Sequence, residues 1–272
     1  TGTSRGDRLE QSAWRECARA GVPSLALLDS WVNYSLRFRR GAAWELPDRI
    51  AVMDGLARRD MLEEGFDRRR LAVTGPADPG PGAARGGGRL LRRFGESRFF
   101  TTFLGQPFRR SGAWLEMGFD EEDAARGVAR ALEPFAARLI IRLHPKNRLS
   151  DFASSGGKRA LPSGWDDVLG ADAVVGVNSA VLLDSLCLGI PTLAFEPRRL
   201  RRGSVLVRRR VIPVARSAAA LRGLLRKVLL HPSFRRGLAR RREKFVSSRA
   251  SGGRKLERLC AELAGPGGGR RN

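Results

Sequence analysis

The sequence predicts an α/β fold with parallel sheets, and three observations carry the prediction. Short β-branched runs alternate with helical periodicity over most of the 272 residues. One stretch, residues 171–197, spells out a complete strand–helix–strand step with its turns. Another, residues 76–97, is rich in Gly, Pro and Arg and reads as a linker between two such regions.

Within 171–197, Ala173-Val174-Val175-Gly176-Val177 is a continuous apolar run and reads as a buried strand. Asn178 and Ser179 follow, both of residue types that cap helix N-termini. Val181, Leu182, Ser185, Leu186 and Leu188 fit a short buried helix, which Gly189 stops and Pro191 follows. Thr192–Phe195 is the next strand. Such a step puts the first helical turn at the carboxyl edge of the sheet, where free N–H groups and the positive helix end favour a phosphate. Asn178 and Ser179 add side-chain donors there. Asp184, about one and a half turns further on, offers a carboxylate to a ribose diol. The same pattern also describes an ordinary capped βαβ step, which recurs in many unrelated proteins.

Length and composition bound the rest. The chain is long enough for two α/β domains or one large one. Hydrophobic residues make up 42%, enough for a real core. The net charge is +23, and five lysines leave 46 of the 51 basic residues as arginine. Arginine dominance of this kind also follows from a GC-rich genome, which weakens charge as a sign of nucleic-acid binding. The positive field still favours anionic partners such as nucleotide diphosphates, anionic lipids or nucleic acid. Cys17, Cys187 and Cys260 are scattered, with neither disulfide nor metal spacing, and suit a reducing cytoplasm. The most apolar stretch carries Asp172, Asn178 and Asp184, so it reads as core and not as a membrane span. The chain begins with Thr1, and residues preceding it are expected in the full protein.

In chain order, residues 1–4 read as a strand end, 7–20 as a helix and 22–28 as a strand. Asp29-Ser30-Trp31-Val32-Asn33-Tyr34 leaves that strand at its carboxyl end. It is either a loop around a buried Trp or an acceptor-side wall with Asp29 as a base. Residues 49–53 and 71–74 are strands around a helix at 55–64, and Thr74-Gly75-Pro76 closes the region. After the linker, a strand at 98–104 runs into the polar turn Gly105-Gln106-Pro107-Phe108. A helix at 120–136 carries Glu121, Glu122 and Asp123 in its first turn, which suits its dipole. The strand at 139–143 ends in His144-Pro145-Lys146. An imidazole in that place binds a phosphate oxygen, transfers a proton, or is simply a satisfied structural group. His231-Pro232, between two helices, is a helix-start signal. Residues 151–164 read as a loop, with 165–169 leading into the central step. Residues 198–210 hold seven arginines interleaved with Leu200, Val205, Leu206 and Val207. That segment is a solvated basic loop and strand, or a patch for an anionic acceptor or membrane lipid. Helices at 218–230, 233–245 and 252–264 close the chain, and 265–272 is a frayed tail.

The run AD-x-V-x-G-x-N-S-x-x-L-L-D-x-x-x-x-G-I-P-T resembles the donor-nucleotide region of GT-B glycosyltransferases. In that superfamily an acidic residue five positions before a Gly-x-Pro contacts the ribose of a nucleotide sugar. Asp184 and Gly189 have that spacing, with Asp where Glu is commoner. Thr74-Gly75-Pro76 looks like the end of a GT-B first domain, and Gln106 occupies a turn that many GT-B enzymes place close to the donor phosphates. His144-Pro145 is similar to a strand–His–Pro turn at the active site of bacterial capsule and teichoic-acid polymerases. In those enzymes a Ser-containing turn, like that at Ser179, holds the donor phosphates.

The resemblance implies a GT-B-like pair of Rossmann-like domains. Residues 1–75 are the remnant of an acceptor-side domain that is incomplete in this sequence, 76–97 the linker, 98–264 the nucleotide-donor domain, and 265–272 the tail. It implies a transferase moving a sugar, or a polyol phosphate, from a nucleotide-activated donor to a cell-surface polysaccharide or lipid-linked acceptor. His144 and Asp29 are the expected catalytic residues, and Gln106, Asn178, Ser179 and Asp184 the donor-binding ones. No cofactor and no metal is expected: no Asp-x-Asp occurs, and helix ends with basic residues can neutralise the diphosphate. The expected place is the cytoplasm, with peripheral contact to an anionic membrane through Arg198–Arg210. Two rivals compete. Nucleotide-sugar 2-epimerases share the fold, but usually show Ser-Gly-Gly and paired Glu where this chain has Asn178-Ser179-Ala180 and one Asp. A non-catalytic nucleic-acid-binding protein rests on charge alone, since no motif of that class is present.

Overall fold

The computed structural model describes residues 8–31, 33–75, 97–156, 158–160, 165–200, 203–247 and 252–265. They fall into two compact units, Thr1–Pro79 with Val246–Asn272, and Gly80–Phe245. The strand end read at 1–4 lies outside the described residues. So do the linker read at 76–97 and the tail read at 265–272, except for residues 97 and 265.

The first unit runs α1 (Leu9–Arg19), β1 (Leu25–Leu27), α2 (Tyr34–Phe38), a hairpin of β2 (Arg39–Arg40) and β3 (Ala43–Trp44), β4 (Arg49–Val52), α3 (Gly55–Glu63) and β5 (Leu71–Val73). β1, β4 and β5 pair in parallel in that order. Aromatic residues fill its core, with Trp14 stacked on Phe38 at 5.3 Å between ring centroids. Asp54 caps α3 by accepting from the Leu56 and Ala57 N–H groups at 2.8 Å. The same carboxylate accepts from Trp31 Nε1 at 2.6 Å, which anchors the loop after β1.

The second unit runs β6 (Phe99–Leu104), α4 (Phe108–Ser111), α5 (Ala113–Met117), α6 (Glu121–Leu132), β7 (Ala137–Arg142), β8 (Lys158–Ala160), α7 (Asp166–Leu169), β9 (Ala173–Gly176), α8 (Val181–Cys187), β10 (Thr192–Phe195), α9 (Val205–Arg208), β11 (Val214–Ala215), α10 (Ala218–Leu230) and α11 (Pro232–Ser247). A last helix, α12 (Gly252–Ala264), belongs to the first unit. The six strands form one parallel sheet in the order β11-β10-β9-β6-β7-β8. Numbered within the unit this is 3-2-1-4-5-6 read from β8, the doubly wound Rossmann order. The chain therefore has the α/β fold with parallel sheets that its sequence predicts.

Alternate strand residues, among them Phe103, Ile141, Val175, Leu193 and Phe195, pack against Ala124 and Val128 of α6 and Leu221 and Leu225 of α10. A capping box starts α6, with Asp120 and Asp123 each accepting the other's backbone N–H at 2.8 and 3.2 Å. The helix stops at Leu132 and not at Ala136: Glu133 is still helical at φ −45° and ψ −42°, but Pro134 has no N–H to give the Arg130 carbonyl. Three further readings are corrected. Part of the loop read at 151–164 is the edge strand β8. The basic strand read within 198–210 is the helical turn α9, which buries Leu206. Neither Asn178 nor Ser179 is the cap of α8: Ala180, already helical at φ −58° and ψ −35°, stands there.

Candidate functional site

The register of the second sheet sets its carboxyl edge. Leu104 lies opposite both Arg142 and Gly176, Gly176 opposite Ala194, and Ala194 opposite Val214. Two residues beyond these stand His144, Gln106, Asn178, Glu196 and Arg216. Five side chains thus leave five neighbouring strands at one level, at about 4.8 Å per strand. Gln106 and Asn178 flank the boundary between β6 and β9, where the strand order reverses and α/β ligands bind. His144 is one strand further, on the β7 side.

The His144 turn is tightly determined. Asn147 N–H donates to the His144 carbonyl at 2.8 Å, and His144 N–H donates to Asn147 Oδ1 at 3.1 Å. Lys146 N–H donates to His144 Nδ1 at 3.1 Å. That bond assigns the neutral tautomer with its proton on Nε2. Burial, and then the charge of Lys146, push the imidazole below its ordinary range, so it is neutral at pH 7. A neutral ring with Nε2–H is a hydrogen-bond donor on its outer nitrogen and has no lone pair there to take a proton.

Gly105 N–H continues the ladder to the Arg142 carbonyl at 2.8 Å. A Cβ at residue 105 would stand 2.9 Å from that carbonyl oxygen and 3.0 Å from the Phe152 ring, so only glycine fits. Gln106 is half-buried and its Nε2 bonds the Gly105 carbonyl at 3.1 Å. On the other side of the boundary Asn178 is exposed, and half-buried Ser179 accepts the Val181 N–H on its Oγ at 3.2 Å. Asp184 sits half-buried on α8, in its first turn.

Asp29, in the first unit, follows β1 at the carboxyl end of its sheet. It is exposed, and Arg37 Nη1 bonds its Oδ1 at 2.9 Å.

Sequence reasoning passed over two residues of the second unit. Glu196 is 1% exposed, and its Oε1 has no hydrogen-bond partner among the described residues. Burial pushes its carboxyl above the ordinary range, against Arg216 at 3.7 Å and a bond from the Ser204 N–H. The signal lay in the string AFEP, an acidic residue directly after four buried strand residues. Asn147 is the other, and its role shows only in its contacts. Among the described residues, no three His, Cys, Asp or Glu side chains gather in a metal-holding group. Nor is any described helix long and apolar enough to cross a membrane.

No protein-family model matches the sequence, and no curated protein matches it. Solved structures match its fold. HepE of Anabaena in complex with UDP aligns over 94% of this chain and 76% of its own, with a TM-score of 0.62 and 10% identity. The UDP-GlcNAc 2-epimerase of Methanocaldococcus jannaschii aligns over 95% and 75%, with a TM-score of 0.56 and 13% identity. The glycotransferase of kitacinnamycin aligns over 93% and 73%, with a TM-score of 0.53 and 15% identity. At such identities the likeness is one of fold, and the fold alone does not choose between these chemistries.

Proposed function

We propose that the chain is a sugar-nucleotide-using enzyme. Its reading here is a transferase that moves a sugar, or a polyol phosphate, from a nucleotide-activated donor to a surface glycan or lipid-linked acceptor. The observation that carries it is the row Asn178, Gln106 and His144 across the strand-order reversal, in a fold shared with proteins solved with UDP and UDP-glucose. Asn178 and Ser179 hold the diphosphate, Asp184 the ribose, and Gln106 stands beside the phosphates. His144 donates its Nε2–H to a phosphate oxygen, which stabilises the charge gathering on the leaving diphosphate. Asp29 is the carboxylate offered to the acceptor hydroxyl as base, once released from Arg37. Exposed Arg198, Arg199, Arg208 and Arg210 supply the basic surface offered to anionic acceptor or membrane. The proposed place of action is the cytoplasmic face of a membrane.

The second reading, a nucleotide-sugar 2-epimerase, is favoured by the epimerases among the fold relatives. Acceptor-dependent release of UDP from UDP-glucose separates the two: an epimerase converts its nucleotide sugar with no acceptor present.

Calorimetry tests the site. Asp184→Ala loses a charge-assisted bond of about 1.5–3 kcal/mol, roughly ten- to a hundredfold in UDP affinity, and leaves pyrophosphate binding unchanged. Ser179→Ala weakens both ligands, but less, because backbone donors remain. Equal loss of both ligands in Asp184→Ala, with the circular dichroism intact, removes Asp184 from the ribose. Asp29→Asn keeps both affinities and lowers turnover, and unchanged turnover dismisses it as the base.

A further inference from the structure

Three parts of the carboxyl edge meet at one side chain. Asn147 uses both ends of its amide: Oδ1 accepts the His144 N–H at 3.1 Å, while Nδ2 faces the Gln106 carbonyl at 3.4 Å, Asp151 Oδ2 at 3.3 Å and Glu121 Oε1 at 3.4 Å. An amide nitrogen has two N–H groups, so two of those three acceptors are served at a time. Glu121 is fully buried at the start of α6 and accepts the Arg109 N–H at 3.0 Å. Asp151 is fixed by the Arg148 N–H at 2.8 Å. The acceptors that receive the Asn147 amide are therefore themselves held.

We infer that Asn147 is the positioning residue of His144, closing the 144–147 turn so that the Lys146 N–H meets Nδ1 and the imidazole proton is confined to Nε2. The physical chain is short. Asn147 N–H and Oδ1 both bond the His144 backbone, which fixes the ends of a four-residue turn. Pro145 fixes the backbone φ inside it. In the turn so closed, the Lys146 N–H points at the ring nitrogen, 3.1 Å away. The Nδ2 bonds tie that turn to the Gln106 turn and to α6, so the two neighbouring loops of the edge move as one. Gly105 belongs to the same device, since a Cβ there would stand 3.2 Å from Asn147 Oδ1. Asn serves here and Asp does not: a carboxylate keeps the acceptor for His144 but turns both donors into a negative charge beside Glu121 and Asp151.

The consequence for donor binding rests on the proposed role of His144, whereas the tautomer is a property of the free protein. The test is a long-range proton–nitrogen NMR spectrum of the 15N-labelled chain at pH 7.5, with His231→Asn used to assign the two rings. The wild type shows the His144 proton on Nε2. Asn147→Ala and Asn147→Asp each show mixed or exchanging tautomers, and UDP-glucose affinity falls about three- to tenfold in both. A purely structural Asn147 lowers the melting temperature and leaves the tautomer alone, which overturns the inference. So does a wild-type spectrum with the proton on Nδ1, whether or not either variant folds. If the tautomer responds to Asn147 but no protein binds UDP-glucose, the positioning role stands and the donor-site reading of His144 falls.

Discussion

At the scale of single residues, the chemistry of the proposed site turns on which nitrogen of His144 holds the proton. Gln places an amide N–H near the position of imidazole Nε2 but cannot take up a proton. A donor role therefore predicts that His144→Gln keeps turnover within about tenfold of wild type, whereas His144→Ala loses about a hundredfold, the loss of one transition-state donor. Equal losses in the two variants dismiss the donor role and return His144 to proton transfer. The position of His144 was legible in the sequence because it depends on local facts, an apolar run ended by a His-Pro turn. Gln106 and Asn178 were legible for the same reason. Ser179 was placed well but its cap was not: its Oγ bonds the Val181 N–H without being the residue that starts the helix. Asn147 was not legible, and Glu196 only as an acidic residue after a buried strand, since their meaning lies in partners brought by other elements, Glu121 and Gln106 for one, Arg216 and Ser204 for the other.

Among elements, length decided what the sequence could show. β6, β7, β9, β10 and α10 carry enough buried residues to declare their period. β8, β11 and the β2–β3 hairpin have two or three residues per strand, too few to alternate. α9 deceived because Val205-Leu206-Val207 is an apolar string with β-branched Val on both sides of Leu206, yet only Leu206 of the three is buried. One ion pair joins the legible and illegible parts. Arg142 on β7 pairs with Asp167 of the short helix α7, and Thr102 of β6 donates its hydroxyl to the Asp167 carbonyl. The Asp167 residue is 3% exposed, and burial raises its carboxyl even though Arg142 opposes the shift. Removing the cation strands that carboxylate. Arg142→Ala should cost about 3–5 kcal/mol in urea unfolding. Arg142→Ala with Asp167→Asn should cost clearly less than Arg142→Ala alone, because the stranded charge is gone. A double variant as unstable as the single one dismisses the ion pair as the cause.

For the molecule as a whole, stability against pH is set by buried groups working in opposite directions against a net charge of +23 at pH 7. His144 lies below its ordinary value of 6.5, so in the window below 6.5 the unfolded chain binds a proton that the folded one refuses, and stability falls as pH falls. Glu196 lies above its ordinary value of 4.5, so the folded chain holds a proton that the unfolded one has already released, and stability falls as pH rises through that window. Glu121 and Asp167 act in the same sense as Glu196. The charge repulsion is common to closely similar variants and cancels in a difference. Glu196→Gln keeps an oxygen for the Ser204 N–H and gives up only the pair with half-exposed Arg216, which solvent screens. The melting temperature of Glu196→Gln minus that of wild type should therefore be near zero at about pH 4 and grow more positive toward about pH 8 as the buried charge appears in wild type alone. A difference that stays flat across that range shows that Glu196 does not titrate above its ordinary value in the folded protein, and takes with it the case for an uncompensated carboxylate oxygen at the edge of the sheet.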